Sequence, residues 1–127
     1  MKNYKNNFTH KDPYTIGVEE EYMICDPLSG DLVPKADQIF DILPEKYKNR
    51  FSYELLLSEI EINTSVCNNV PESVNEVLLL RNVVRDLGEK LDFKIGISGT
   101  HPTAICSDQI FVNNESYNWV ANQLKYY

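Results

Sequence analysis

Two stretches of the chain alternate acidic and apolar residues at period two, and this constrains the fold more than any other feature. In Tyr14-Thr15-Ile16-Gly17-Val18-Glu19-Glu20-Glu21-Tyr22-Met23-Ile24-Cys25, the residues Ile16, Val18, Tyr22 and Ile24 share one strand face. Glu20 falls on that same face, while Glu19 and Glu21 point to the opposite one beside Gly17. In Ser58-Glu59-Ile60-Glu61-Ile62-Asn63-Thr64, Glu59, Glu61 and Asn63 share a face and Ile60 and Ile62 take the other. Carboxylates at i and i+2 of a strand lie about 6.5–7 Å apart on one side. Holding them there is unfavourable unless a cation is nearby. If both strands belong to one sheet with their acidic faces together, they offer a cluster of oxygen donors suited to Mg²⁺. Taken singly, each reads more readily as the wet face of an antiparallel strand; the two together, with the motifs below, favour the cation site.

The remaining classes narrow quickly. At 127 residues and 43% apolar, the chain is long enough for one domain with a real core. A net charge of −7, with Arg50, Arg81 and Arg85 as its only arginines, leaves no basic face for nucleic acid and opposes an anionic membrane surface. No apolar run is long enough to span a bilayer and the polar N-terminus lacks a signal-peptide core, so the expected location is cytoplasmic. Cys25, Cys67 and Cys106 are odd in number and widely spaced, and read as buried thiols in a reducing compartment. With His10 and His101 the only histidines, a structural zinc site is not expected.

Along the chain, residues 1–13 read as a flexible arm rich in Asn and Lys. Asp26-Pro27-Leu28-Ser29-Gly30 marks a turn, with Asp31-Leu32-Val33 returning as a hairpin partner. Ala36, Ile39, Phe40 and Leu43 recur at helical spacing until Pro44, and Glu45 to Arg50 is a charged connector. Phe51 to Val66 is strand-like, but its pattern changes phase near Ser58. A bulge or break there would let Glu54 swing towards the acidic face. The spacing predicts a helix over Pro71–Leu91, begun by Pro71 or by a Ser73/Glu76 capping box. Its core stripe is Val77, Leu80, Val84, Leu87 and Leu91, widened by Val74, Leu78 and Val83. Lys94 to Ser98 is a third strand in which Gly96, with Gly99 beyond it, implies close approach or a bend. A last helix from Glu115 to Tyr127 is expected to turn Trp119, Val120 and Leu124 inward. The mixture makes the class α+β, mostly antiparallel sheet with helices on one face.

Three stretches together resemble the carboxylate-amine ligase family known as glutamate–cysteine ligase type 2. They are Gly17-Val18-Glu19-Glu20-Glu21-Tyr22, Glu54-Leu55-Leu56-Leu57-Ser58-Glu59-Ile60-Glu61-Ile62-Asn63-Thr64 and Gly96-Ile97-Ser98-Gly99-Thr100-His101-Pro102. The Asp26-Pro27 turn with Gly30-Asp31-Leu32-Val33-Pro34 is similar to the family's hairpin. The resemblance implies a glutamine-synthetase-like catalytic domain whose antiparallel sheet curves around ATP and Mg²⁺. By it, Glu19 and Glu21 become metal ligands, as does Glu61 with Thr64 nearby, and Glu54 stands where relatives place a further acidic ligand. Glu59 shares the acidic face and joins this candidate metal set, and Asn63, Thr64 and Thr100 join Glu19 and Glu21 as candidates for nucleotide binding. The implied substrates are glutamate and cysteine or a related amine, with homo-oligomers a further expectation. The resemblance also implies that residues 14–127 are the N-terminal part of a longer catalytic domain, inactive on its own.

The chemistry of amide formation accounts for these residues. Joining a carboxylate to an amine in water calls for activation, here by the γ-phosphoryl group of ATP, through an acyl phosphate that the amine attacks. Bringing these anions together requires Mg²⁺ to bridge and neutralise them. Glu61 is the candidate closest to that chemistry, with His101 as a substrate contact or proton carrier. His101 reads equally as a histidine that orders its loop through a backbone hydrogen bond. Cys67 reads as a buried thiol rather than a nucleophile. Glu20 reads as the partner of a Lys or Arg behind the sheet, or as a further ligand. Two rival functions stay open: a hydrolase using two glutamates as acid and base, and a non-catalytic binding or assembly module.

Overall fold

The structure, a computed structural model, describes residues 14–124. The arm expected at 1–13 and the last three residues of the expected C-terminal helix lie outside the described residues. Four strands form one antiparallel sheet in the order β2-β3-β1-β4. They are β1 (Glu19–Cys25), β2 (Phe51–Tyr53), β3 (Glu59–Asn63) and β4 (Lys94–Gly96). Three helices accompany them: α1 (Ala36–Ile42), α2 (Val70–Leu91) and α3 (Glu115–Leu124). The α+β reading and the largely antiparallel sheet both hold.

The register explains how period two becomes two unlike faces. Glu20 pairs with Ile62 and Tyr22 with Ile60, so Tyr22, Ile24, Ile60 and Ile62 form one apolar layer. Phe51 and Tyr53 extend it from β2, and Ile95 from β4. Leu80, Val84 and Leu87 of α2 and Ala36 and Ile39 of α1 cover that layer, all of them buried. Phe40 stacks on Tyr53 with ring centroids 4.0 Å apart. Burying a residue such as Ile60 completely contributes about 1.5–3 kcal/mol, so this layer carries the fold.

Helix α2 begins one residue before Pro71, at Val70. The expected Ser73/Glu76 box is not its cap. The Asn69 side chain accepts from Glu72 N at 2.9 Å, whereas the Ser73 hydroxyl donates inside the helix to Val70 O. Asn takes this position because its short carbonyl reaches a free N–H of the first turn. Glu76 is occupied elsewhere, accepting from Ser65 N and pairing with Arg50. The expected widening of the core stripe also fails on one side. Val74 and Leu78 are 49% and 50% exposed, because α2 turns the Leu80–Val84–Leu87 row towards the core, with Val83 and Leu91 beside it, and these two away from it. At the far end Lys35 Nζ donates to Leu91 O and Asp92 O at 2.7 Å each, satisfying carbonyls that the helix leaves open.

Other elements are shorter than their patterns. Ile16 makes only an isolated bridge to Cys67 before β1 begins, and the hairpin return is a single bridge between Cys25 and Leu32. The charged connector from Glu45 to Arg50 is a 3-10 helix. In α3 the expectation holds for Val120 and fails for Trp119, whose place is taken by Tyr117. Tyr117 and Val120 are half-buried, while Trp119 is 65% exposed. The Tyr117 hydroxyl donates to Tyr53 O at 2.8 Å, and this bond sets the rotation of the helix. Cys25 and Cys67 are buried as expected, but Cys106 is exposed in a short 3-10 turn.

Candidate metal centre

The second face of the sheet carries the acidic residues. Glu19 lies opposite Asn63, Glu21 opposite Glu61, and Met23 opposite Glu59. Ser52 of β2 faces Glu61 from the other side. Because Ser52 is on this face, Glu54 leaves the end of β2 towards it. Residues 54–58 then break the strand and change its phase, so that Glu59 and Glu61 return to the same face. A Leu56–Phe111 bridge and bonds from Leu57 N to Ile110 O (2.8 Å) and Val112 N to Leu55 O (3.0 Å) hold that break.

The result is a convergence of Glu21, Glu54 and Glu61. One carboxylate oxygen from each lies within 4.8 Å of the others. Glu21 is exposed, and Glu54 and Glu61 are half-buried. Asn63 Nδ2 donates to Glu61 Oε1 at 2.7 Å and to Ser52 Oγ at 3.1 Å, which orients the Glu61 carboxylate. Burial pushes the Glu54 carboxyl above the usual carboxylate range against the lowering effect of the Leu55 N–H, and Glu21 and Glu61 add to the rise. Burial likewise raises the Glu59 carboxyl, with Glu21 contributing. Tyr117 is raised by burial and then by Glu54 and Glu61. Among the described residues, no lysine or arginine is ion-paired with Glu21, Glu54 or Glu61. Three hard oxygen donors with no protein cation fit Mg²⁺.

The other candidates are distributed around this centre. Glu19 and Glu59 are on the same face but outside the three-carboxylate group. Thr64 ties down the segment before β1, its Oγ1 accepting from Val18 N at 2.9 Å. Thr100 and His101 lie in the loop after β4, beside Glu59 across a small cavity. His101 is bound through both ring nitrogens: Nε2 meets Gly30 O at 3.0 Å and Nδ1 accepts from Thr103 N at 3.3 Å. A carbonyl can only accept, so Nε2 carries the proton. Glu20, behind the sheet, is paired with Arg81 of α2 and accepts from the Tyr22 hydroxyl. Arg81 holds the Glu20 carboxyl below its ordinary range.

Sequence reasoning passed over Tyr117, Ser52 and Gln109. Tyr117 is within electrostatic reach of Glu54 and Glu61, and Gln109 accepts from the Ser58 hydroxyl at 3.0 Å. Ser52 had a local signal, since it shares the parity of Glu54; the other two come from a distant helix and loop that carry none.

The sequence profile described as glutamate-cysteine ligase family 2 matches residues 15–127. The chain belongs to this family. Among curated relatives, a protein of Rubrobacter xylanophilus named glutamate–cysteine ligase 2-1 is 38% identical over 113 residues, or 89% of this chain and 30% of the relative. Proteins named glutamate–cysteine ligase 2 from Herpetosiphon aurantiacus and a Roseiflexus species are 32% and 30% identical, each over 89% of this chain and 29% and 30% of their own lengths. The family member described here thus spans about 30% of the length of these relatives. Among its described residues, no helix is long and apolar enough to cross a membrane.

Proposed function

We propose that this chain carries the metal-binding part of an ATP- and Mg²⁺-dependent carboxylate-amine ligase that joins glutamate to cysteine or a related amine, on a glutamine-synthetase-like sheet. The observation that supports this reading is the meeting of Glu21, Glu54 and Glu61 on one sheet face, in a chain of this family. Mg²⁺, when bound, neutralises the triphosphate and the carboxylate so that phosphoryl transfer can occur. Glu21, Glu54 and Glu61 are the ligands we assign to it, with Glu19 and Glu59 flanking them. Asn63 orients Glu61, while Thr64 and Thr100 are assigned to the nucleotide's surroundings. The acyl phosphate is then open to attack by the amine. His101, with its Nδ1 turned to a backbone N–H and its Nε2–H to a carbonyl, orders the wall of the site, and a proton-carrying role requires it to leave those bonds. A cytoplasmic setting supplies ATP for this chemistry.

Phosphate clamping belongs to other parts of the full-length enzyme in this reading. All three arginines are already engaged, Arg50 with Glu76, Arg81 with Glu20 and Arg85 with Asp86. A ligase site needs such donors free to meet phosphate oxygens. The test is ADP release with glutamate and cysteine, run on this chain alone and on this chain joined to the remaining length of a relative. Magnesium-dependent turnover in the longer protein alone is expected. ADP release that needs neither Mg²⁺ nor the two amino acids, or none from the longer protein, would overturn the ligase reading.

A further inference from the structure

Next to the three-carboxylate centre, the acidic face holds a second feature of different chemistry. Met23 lies between Glu59 of β3 and Gly96 of β4 in the sheet register. A cavity of about 190 Å³ opens over it, walled by Leu32, Leu56, Thr100 and Gln109, with Glu59 at its side. Gly96 packs beside this floor, where a Cβ would meet Cys25 Sγ at 3.4 Å and Met23 Cβ at 3.7 Å. The walls are cross-braced. His101 ties its loop to Gly30 O, the Ser58 hydroxyl donates to Gln109, and Leu57 N donates to Ile110 O.

Among the described residues Glu59 is the only carboxylate lining this cavity, and no lysine or arginine lines it. Among the described ion pairs none involves Glu59. The cavity therefore selects a cation. A hard metal ion needs several oxygen ligands, and here a single carboxylate sits beside the Met23 thioether and the Cys106 thiol. A small organic ammonium fits better: one anion pairs its charge, hydroxyl and amide groups accept its remaining protons, and apolar walls hold a short side chain.

We propose that this cavity binds the α-ammonium end of a small amino acid, with Glu59 as its counter-anion. The identity of that amino acid as the ligase's amine substrate rests on the function proposed above. The cavity and its charge stand on their own. Glu59 is two residue pairs along the sheet from the Glu21–Glu61 pair, about 7 Å from Glu61 on the same strand. An ammonium seated there lies beside the centre at which the carboxylate is activated; Glu59 takes one of its protons, and the free amine then attacks the acyl phosphate as inorganic phosphate leaves.

The experiment is methyl and amide NMR on the 127-residue chain, titrated with L-alanine and with N-acetyl-L-alanine. Neither probe has a thiol to exchange with Cys106. L-Alanine is expected to produce saturable shifts at the Met23 methyl and the Thr100 amide. Binding should weaken by about tenfold or more when the ammonium is acetylated, and by a similar factor in Glu59→Gln, as a charged hydrogen bond to the half-buried Glu59 is lost. Glu61→Gln should keep L-alanine binding while losing the line broadening that Mn²⁺ causes near residue 61. Equal binding of the two probes, or no saturable shift with either, overturns the proposal, and neither result depends on a variant folding. Intact L-alanine binding without Mn²⁺ broadening around Glu61 would sink the metal reading and support the ammonium site.

Discussion

Glu21 and Glu61 are direct partners across the β1–β3 ladder, two carboxylates facing each other on one side of the sheet. Like charges in opposed positions destabilise a sheet by a fraction of a kcal/mol, and Glu54 joins them from the strand break. The arrangement persists because the apolar layer behind it, from Tyr22 and Ile60, determines the register.

The first prediction follows from that opposition. Glu21→Gln or Glu61→Gln should leave the metal-free protein as stable as the parent or more stable, by about 0.5 kcal/mol. Each should also weaken Mn²⁺ binding severely. Denaturant unfolding with and without metal checks both parts. A loss of stability together with unchanged metal affinity would contradict the assignment.

Gly88 gives a prediction independent of function. A Cβ at this position would lie 2.8 Å from Phe93 O, in the turn where α2 hands over to β4. Alanine gains about 1 kcal/mol of helix propensity, but overpacking against backbone costs typically 1–3 kcal/mol. Gly88→Ala should therefore destabilise by about 1 kcal/mol, lowering the melting temperature by roughly 4 °C. A rise in melting temperature would show that the turn relaxes freely.

The Glu20–Arg81 pair predicts a pH dependence. Arg81 lowers the Glu20 carboxyl in the folded state. Its contribution is therefore complete above the unfolded value of about 4.3, and is lost as pH falls through the lower folded value. Glu20 and Arg81 are 20% and 46% exposed, so screening limits the pair to about 1 kcal/mol. Arg81→Met should melt lower than the parent at neutral pH, with the gap closing in strong acid. A gap constant across the acid limb would mean that packing of the arginine stem, not its charge, is what matters.

Trp119 is the only tryptophan, which makes its position directly readable. It is exposed on α3, so its emission should be that of a solvated indole and open to acrylamide quenching. Trp119→Phe should change stability by less than about 0.5 kcal/mol. A blue-shifted, shielded emission would return Trp119 to the core.

Cβ atoms alternate across a strand, so the local pattern alone assigned Glu19, Glu21, Glu59, Glu61 and Asn63 to one face and Tyr22, Ile24, Ile60 and Ile62 to the other. The Leu80–Val84–Leu87 stripe was legible for the same reason, and the phase change near Ser58 pointed to Glu54. Tertiary structure decided which strands became neighbours and how far each apolar stripe was covered. Val74, Leu78 and Trp119 are exposed because no surface among the described residues covers them, and periodicity records a residue's direction without recording what lies in that direction. His101 sits on Gly30, and Tyr117 on Tyr53, across 71 and 64 residues of chain. Contacts that distant depend on the register of the whole sheet and the path of its loops, which no local spacing encodes.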